Sequence, residues 1–120
     1  MDSFFDNERP IYIQLVEKLV LEIVSGKLKA GERIPSVREL AISMKVNPNT
    51  MQKALQELEA KGLIFTERTN GKFVTKDNKL IEKKKREMAK EKVKIFLKDM
   101  SNIGITHEET VKYLKETDLN

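Results

Sequence analysis

The chain has 120 residues, with 23 Lys and Arg against 19 Asp and Glu, and no cysteine. Its length suits one modest domain with an appendage, and its net charge of +4 permits nucleic acid or an acidic membrane surface as partner without demanding either. Disulfides, thiolate chemistry and cysteine zinc sites are excluded, no apolar run reaches signal-peptide or transmembrane length, and a cytoplasmic protein with no membrane partner is expected.

Residues 1–8 read as a loose arm in which Phe4 and Phe5 are apolar enough to dock on a neighbouring helix. From Pro10 a helix is predicted to about Ser25, its apolar stripe built from Ile11, Leu15, Leu19 and Ile23 and widened by Ile13, Val16, Val20 and Val24. Gly26 ends it. Gly26 and Gly31 have the spacing of a phosphate-cradling loop, but Glu32 and Arg33 follow where Lys and Ser or Thr are required, so nucleotide binding is rejected in favour of a surface turn.

Ser36 then offers an N-cap, and Glu39 three residues on completes a capping box. Val37, Leu40, Ala41 and Met44 share one face of the short helix that follows. Lys45 and Val46 carry the chain across a tight turn, and Asn47 with Pro48 caps a second helix whose Met51, Ala54, Leu55 and Leu58 lie on one side until Gly62 stops it. Its other side carries Asn49, Gln52, Lys53 and Gln56 with Thr50 beside them, while the acids Glu57 and Glu59 wait for the C-terminal half. A helix start with free amides, positive dipole, amide side chains and no carboxylate suits an approach to phosphates and bases, although most polar helix faces only meet water.

Leu63 to Arg68 and Lys72 to Thr75 read as two strands joined through Thr69-Asn70-Gly71, with Asn-Gly supplying the positive φ angles of the tip and Arg68 and Lys72 flanking it. Three helices, the last two in a tight turn, and then a hairpin make a winged helix-turn-helix. The Pro10-Ile11-Tyr12-Ile13-Gln14-Leu15 opening, Ile34 to Ala41, Val46-Asn47-Pro48-Asn49-Thr50, Leu58 to Ile64 and Gly71-Lys72-Phe73-Val74 occur in the order and spacing of the GntR family of bacterial transcription regulators, which the chain resembles from about Arg9 to Thr75.

That resemblance implies binding to double-stranded DNA without a cofactor. Ser36 and Arg38 would meet the backbone or its edge, and Asn47, Asn49 and Thr50 would start the recognition helix, with Thr50 on phosphate. Gln52 and Lys53 would lie in or beside the major groove. Gln52 stands where many relatives carry arginine, which exchanges a preference for guanine for one for adenine. In the wing, Arg68, Gly71 and Lys72 are the candidates, and Thr69 stands where relatives commonly carry glycine.

The 43 residues from Asn78 to Asn120 are too few for the effector domains of the large GntR groups, and the tail resembles that of the small YtrA-like subfamily. One helix is predicted from Asn78 to Ser101, with Ile81, Met88 and Ile95 seven apart and Leu80, Val93, Phe96, Leu97 and Met100 widening the stripe. After a turn at Gly104, Thr106 with Glu109 caps a last helix bearing Val111, Tyr113 and Leu114. Such a stripe is satisfied by the same pair from a second chain, or by docking back on its own winged domain. The lysines around Lys83-Lys84-Lys85-Arg86 read as a solvated face partly offset by Glu82, Glu87 and Glu91, able to add phosphate contacts. His107 has no histidine or cysteine companion, so neither a metal site nor enzyme activity is expected.

The expected fold is thus mainly α with a small β-hairpin: a winged helix-turn-helix domain over 1–77, arm 1–8 included, and a two-helix dimerisation segment over 78–120. The dimerisation residues are Ile81, Met88, Ile95, Phe96, Met100, Val111 and Leu114. The expected function is a sequence-specific regulator, a repressor of its own operon, which in YtrA-like relatives often includes an ABC transporter. It would bind a palindromic operator as a homodimer, with an unidentified small-molecule inducer acting through the tail. The alternatives are a packaging protein binding nucleic acid without sequence preference, and a winged-helix adaptor that binds protein.

Overall fold

Helix starts follow local capping chemistry, as the computed structural model, which describes residues 5–119, shows in detail. Helix α1 spans Ile11–Val24 behind Pro10. In front of α2, Val37–Met44, the Ser36 hydroxyl accepts from the Glu39 amide at 3.1 Å and the Glu39 carboxylate accepts from the Ser36 amide at 2.9 Å. In front of α3, Pro48–Ala60, Asn47 Oδ1 accepts from the Asn49 amide at 2.7 Å, and Pro48 takes a position where its missing donor is not needed. Helix α4 runs Asn78–Asn102, and α5, His107–Glu116, opens on the expected Thr106–Glu109 box.

Helices α2, α3 and α4 end alike. In each, two amides beyond the helix return to carbonyls of its last turn: Lys45 to Ile42 and Val46 to Ala41, Gly62 to Glu59 and Leu63 to Leu58, Gly104 to Ser101 and Ile105 to Met100. This Schellman arrangement needs a left-handed residue, which is Gly62 in α3 and Gly104 in α4 but Lys45, at φ 58° and ψ 47°, in α2.

Strands β1, Ile64–Glu67, and β2, Gly71–Val74, pair antiparallel with Ile64 opposite Val74 and Glu67 opposite Gly71. The tip is therefore shifted by one residue from the expected Thr69-Asn70-Gly71 turn, and Asn70 does not take the expected positive φ. Arg68, Thr69 and Asn70 form a three-residue loop, the Asn70 amide returns to the Glu67 carbonyl, and Gly71 closes the turn as the first residue of β2 with φ 100°. A third segment, read from sequence as a plain connection, lies along the free edge of β2. The Val74 amide donates to Glu32 O at 2.8 Å, the Ile34 amide to Lys72 O at 2.9 Å, and Arg33 bridges Phe73.

The chain divides into two compact units at Lys83 and Lys84, within α4. In the first, α3 packs against α1, α2 and β1. Leu15, Leu19, Met51, Leu55, Leu58, Leu63 and Val74 are fully buried there, so truncating one such leucine to alanine costs about 2–5 kcal/mol. The arm, where described, is tied down rather than loose. Buried Gln14 accepts from the Asp6 amide at 2.8 Å and donates to Asp6 O at 2.7 Å and Arg9 O at 2.9 Å, while Arg9 forks onto Glu17. Phe4 lies outside the described residues. The second unit comprises α4 from Lys84 onward, the Gly104 turn and α5.

Candidate nucleic-acid interface

The burial of Met51, Ala54, Leu55 and Leu58 orients α3 and leaves the opposite side of its first two turns at the surface. Asn47, Asn49 and Lys53 are exposed, and Thr50 and Gln52 are half-buried. The first turn holds no acid, so the positive end of the helix dipole stands uncompensated beside amide and hydroxyl groups. The Lys53 ammonium sits 3.9 Å from the centroid of the Tyr12 ring, a cation–π contact from α1 that parks this charge at the edge of the recognition surface.

On α2, Arg38 is exposed and enters none of the three ion pairs found among the described residues. Ser36 is committed to the cap, its hydroxyl oxygen accepting from the Glu39 amide at 3.1 Å. Bonds from the Ser36 amide and hydroxyl, aided by the charge of Arg33, hold the Glu39 carboxyl below its ordinary value.

The wing places its three candidates differently. Arg68 is exposed in the loop, and Gly71 forms the turn beside it. Lys72 is half-buried and turned inward, its Nζ donating to Thr66 Oγ1 at 2.9 Å and lying 3.5 Å from Glu59 Oε1. Phe65 and Phe73 stack across the strands at 5.6 Å between centroids and stiffen the hairpin. Sequence reasoning missed Arg33, whose Nε donates to Asn70 O at 2.8 Å and ties the wing tip to the segment before α2. It also missed Tyr12 as a partner of Lys53. Neither contact has a local signal, since Arg33 and Asn70 are 37 residues apart.

In the tail, Ile81 is buried within the first unit, while Met88 and Met100 are half-buried. Ile95, Phe96, Val111 and Leu114 are exposed, as are Val93, Ile103 and Tyr113. Among the described residues no group of three or more His, Cys, Asp or Glu is placed to hold a metal ion, and no helix is long and apolar enough to cross a membrane.

A capped helix pair in a tight turn, with an amide-rich start to the second helix and a hairpin after it, defines a winged helix-turn-helix DNA-binding regulator. Residues 11–74 match the bacterial regulatory proteins of the gntR family. The chain is 36% identical over 115 residues to the uncharacterised HTH-type transcriptional regulator YhcF of Bacillus subtilis, covering 96% of this chain and 95% of that one. To the HTH-type transcriptional repressor YtrA of the same organism it is 38% identical over 109 residues, covering 89% of this chain and 83% of that one. A GntR family transcriptional regulator from Listeria monocytogenes superposes with a TM-score of 0.86 at 40% identity, over 95% of this chain and all of that one. The chain belongs to the GntR family, among its small YtrA-like members.

Proposed function

We propose that this regulator is a homodimeric repressor that works in the cytoplasm by occluding a promoter at a palindromic operator. The observation that carries the reading is the start of α3, where Asn49, Thr50, Gln52 and Lys53 cluster at a helix N-terminus whose first turn holds no acid. Thr50, with Ser36 and Arg38 of the neighbouring cap, holds phosphates, Gln52 reads a base edge, and Arg68 reaches flanking backbone. The similarity to a repressor along most of both chains supports the sign of regulation.

The exposed apolar side chains of α4 and α5 support the dimer, because Ile95, Phe96, Val111 and Leu114 have no cover in a single chain. Ile81 contributes to the chain's own core, so the pairing surface begins beyond it. Two-fold pairing sets the half-sites about one DNA turn, 34–36 Å, or a multiple apart.

The test is fluorescence anisotropy on a duplex from upstream of the gene and on its shuffled counterpart at about 0.15 M salt. Preference for the first supports the reading, and equal affinity for both refutes specific recognition at that site. Thr50→Ala is expected to weaken both complexes alike, whereas Gln52→Ala loses about 1–3 kcal/mol of discrimination at one base step. In sedimentation velocity, Ile95→Glu with Leu114→Glu is expected to yield monomers, and a dimer that survives both changes defeats the proposed interface.

A further inference from the structure

The positive charge of the chain is not where its recognition helix is. Between Asn78 and Lys98 nine basic residues meet three acids, Glu82, Glu87 and Glu91, for a net +6 in a chain of net +4, so all remaining residues together carry −2. Residues 1–77, which contain the whole winged helix, carry only +1. A domain so close to neutral has little long-range attraction for a polyanion and little counterion release to drive nonspecific binding.

Helix α4 also arranges its charge. At 100° per residue, Lys79, Lys83, Arg86, Lys90 and Lys94 fall within an arc of about 80° and form a stripe about 22 Å long. All five are exposed, and none enters an ion pair, although Glu82, Glu87 and Glu91 stand at sequence distances where pairing was expected. The heptad positions Ile81, Met88 and Ile95 lie about 160° around the helix from the middle of this stripe, while Val93 and Leu97 border its Lys90 and Lys94 end. Burying those three positions leaves the basic stripe in water, with Lys90 and Lys94 at the margin of the apolar surface that Val93 and Leu97 add.

We propose that α4 is a second DNA-contacting element, whose stripe Lys79, Lys83, Arg86, Lys90 and Lys94 grips the phosphates of duplex DNA. Measured along the duplex axis, a length of 22 Å passes about six phosphates of each strand, enough partners for the five cations. The stripe recognises no sequence. It supplies the salt-dependent capture that the near-neutral winged helix lacks, and α3 then discriminates. This rests on the DNA-binding reading above and adds to it where the affinity comes from.

The test compares two full-length variants of equal net charge. One carries Lys83→Gln, Arg86→Gln, Lys90→Gln and Lys94→Gln, and the other carries Lys85→Gln, Lys92→Gln, Lys98→Gln and Lys112→Gln, which are exposed but off the stripe. Helicity and sedimentation first establish that both fold and assemble as the parent does. Anisotropy on a random 30-base-pair duplex and on an operator selected from random sequence then gives the dependence of log K on log salt between about 0.05 and 0.2 M. The slope is expected to fall by about 3 to 4 for each engaged protomer in the stripe variant only, with affinity for both duplexes falling together and their ratio kept. An unchanged slope in a stripe variant that still discriminates overturns this inference and leaves specific recognition standing. Equal falls in the two variants overturn it in favour of net charge alone, as does stripe-dependent sedimentation with phosphatidylserine vesicles alongside an unchanged DNA slope. Failure of the parent protein to bind any duplex overturns both this inference and the reading beneath it.

Discussion

Replacing Lys45 by glycine is expected to stabilise the winged domain. Lys45 is the one non-glycine residue with positive φ among those described, and it closes α2 in the motif that glycine closes in α3 and α4. A left-handed conformation costs a residue with a Cβ about 1–2 kcal/mol, while glycine gives back about 0.5–1 kcal/mol in unfolded-chain entropy. The net gain expected of Lys45→Gly is therefore about 0.5–1 kcal/mol, or a rise in Tm of about 2–8 °C for a unit of this size. Lys45→Ala is the deciding control, since it removes the same charge and stem but keeps the strain, and its Tm should stay close to that of the parent. Thermal unfolding by circular dichroism, with urea midpoints at constant m, measures both. Equal shifts in the two variants, or a loss in the glycine variant, would refute the backbone argument and locate the effect in the lysine side chain.

In the wing, a Cβ at Gly71 would lie 3.1 Å from Arg33 Nε and 3.2 Å from Nη2, on a backbone with φ 100°. Gly71→Ala is expected to cost about 1–2 kcal/mol and to displace the guanidinium from Asn70 O. Combined with Arg33→Met it should fall short of additivity by at least about 0.5 kcal/mol in urea unfolding, and strict additivity would show that the two do not communicate. Stability near the acid limit is expected to depend on Glu39. Its carboxyl lies below the ordinary value of 4.5, so the cap is fully present above that pH and is lost as pH falls through the lower folded value. The difference in urea midpoint between the parent and Glu39→Gln should shrink on acidification over that range, and a constant difference would remove Glu39 as the source.

The helix pair was legible in the chain because its signals are local. Ser36 and Glu39, Asn47 and Asn49, and Thr106 and Glu109 satisfy one another within three residues, and a capping bond across so short a span needs no tertiary partner. Periodicity identified the buried side of α3 for the same reason, and with that side assigned the opposite face followed. The wing was less legible. Its strands showed through their β-branched and aromatic residues, but the position of the three-residue loop did not, since Gly71, read as part of the turn, pairs with Glu67 as the first residue of β2. Lys72 looked like a free charge because Glu59 and Thr66, which draw it inward, approach only when the hairpin folds against α3.

By itself the sequence determined where helices start and stop, which faces are apolar, which family the chain resembles and how its charge is divided along its length. Each of these depends on residues within about two helical turns or on simple counting. Tertiary structure alone decided that residues 31–34 run along β2, that Arg33 supports the wing tip and that Tyr12 receives Lys53. It also decided that Gln14 anchors the arm and that Ile81 is spent in the chain's own core. Apart from the Gln14 bonds, which reach 5 and 8 residues back, these contacts join positions far apart in the chain. Their partners are chosen by which surfaces meet once the local elements pack, and no pattern along the sequence encodes that choice.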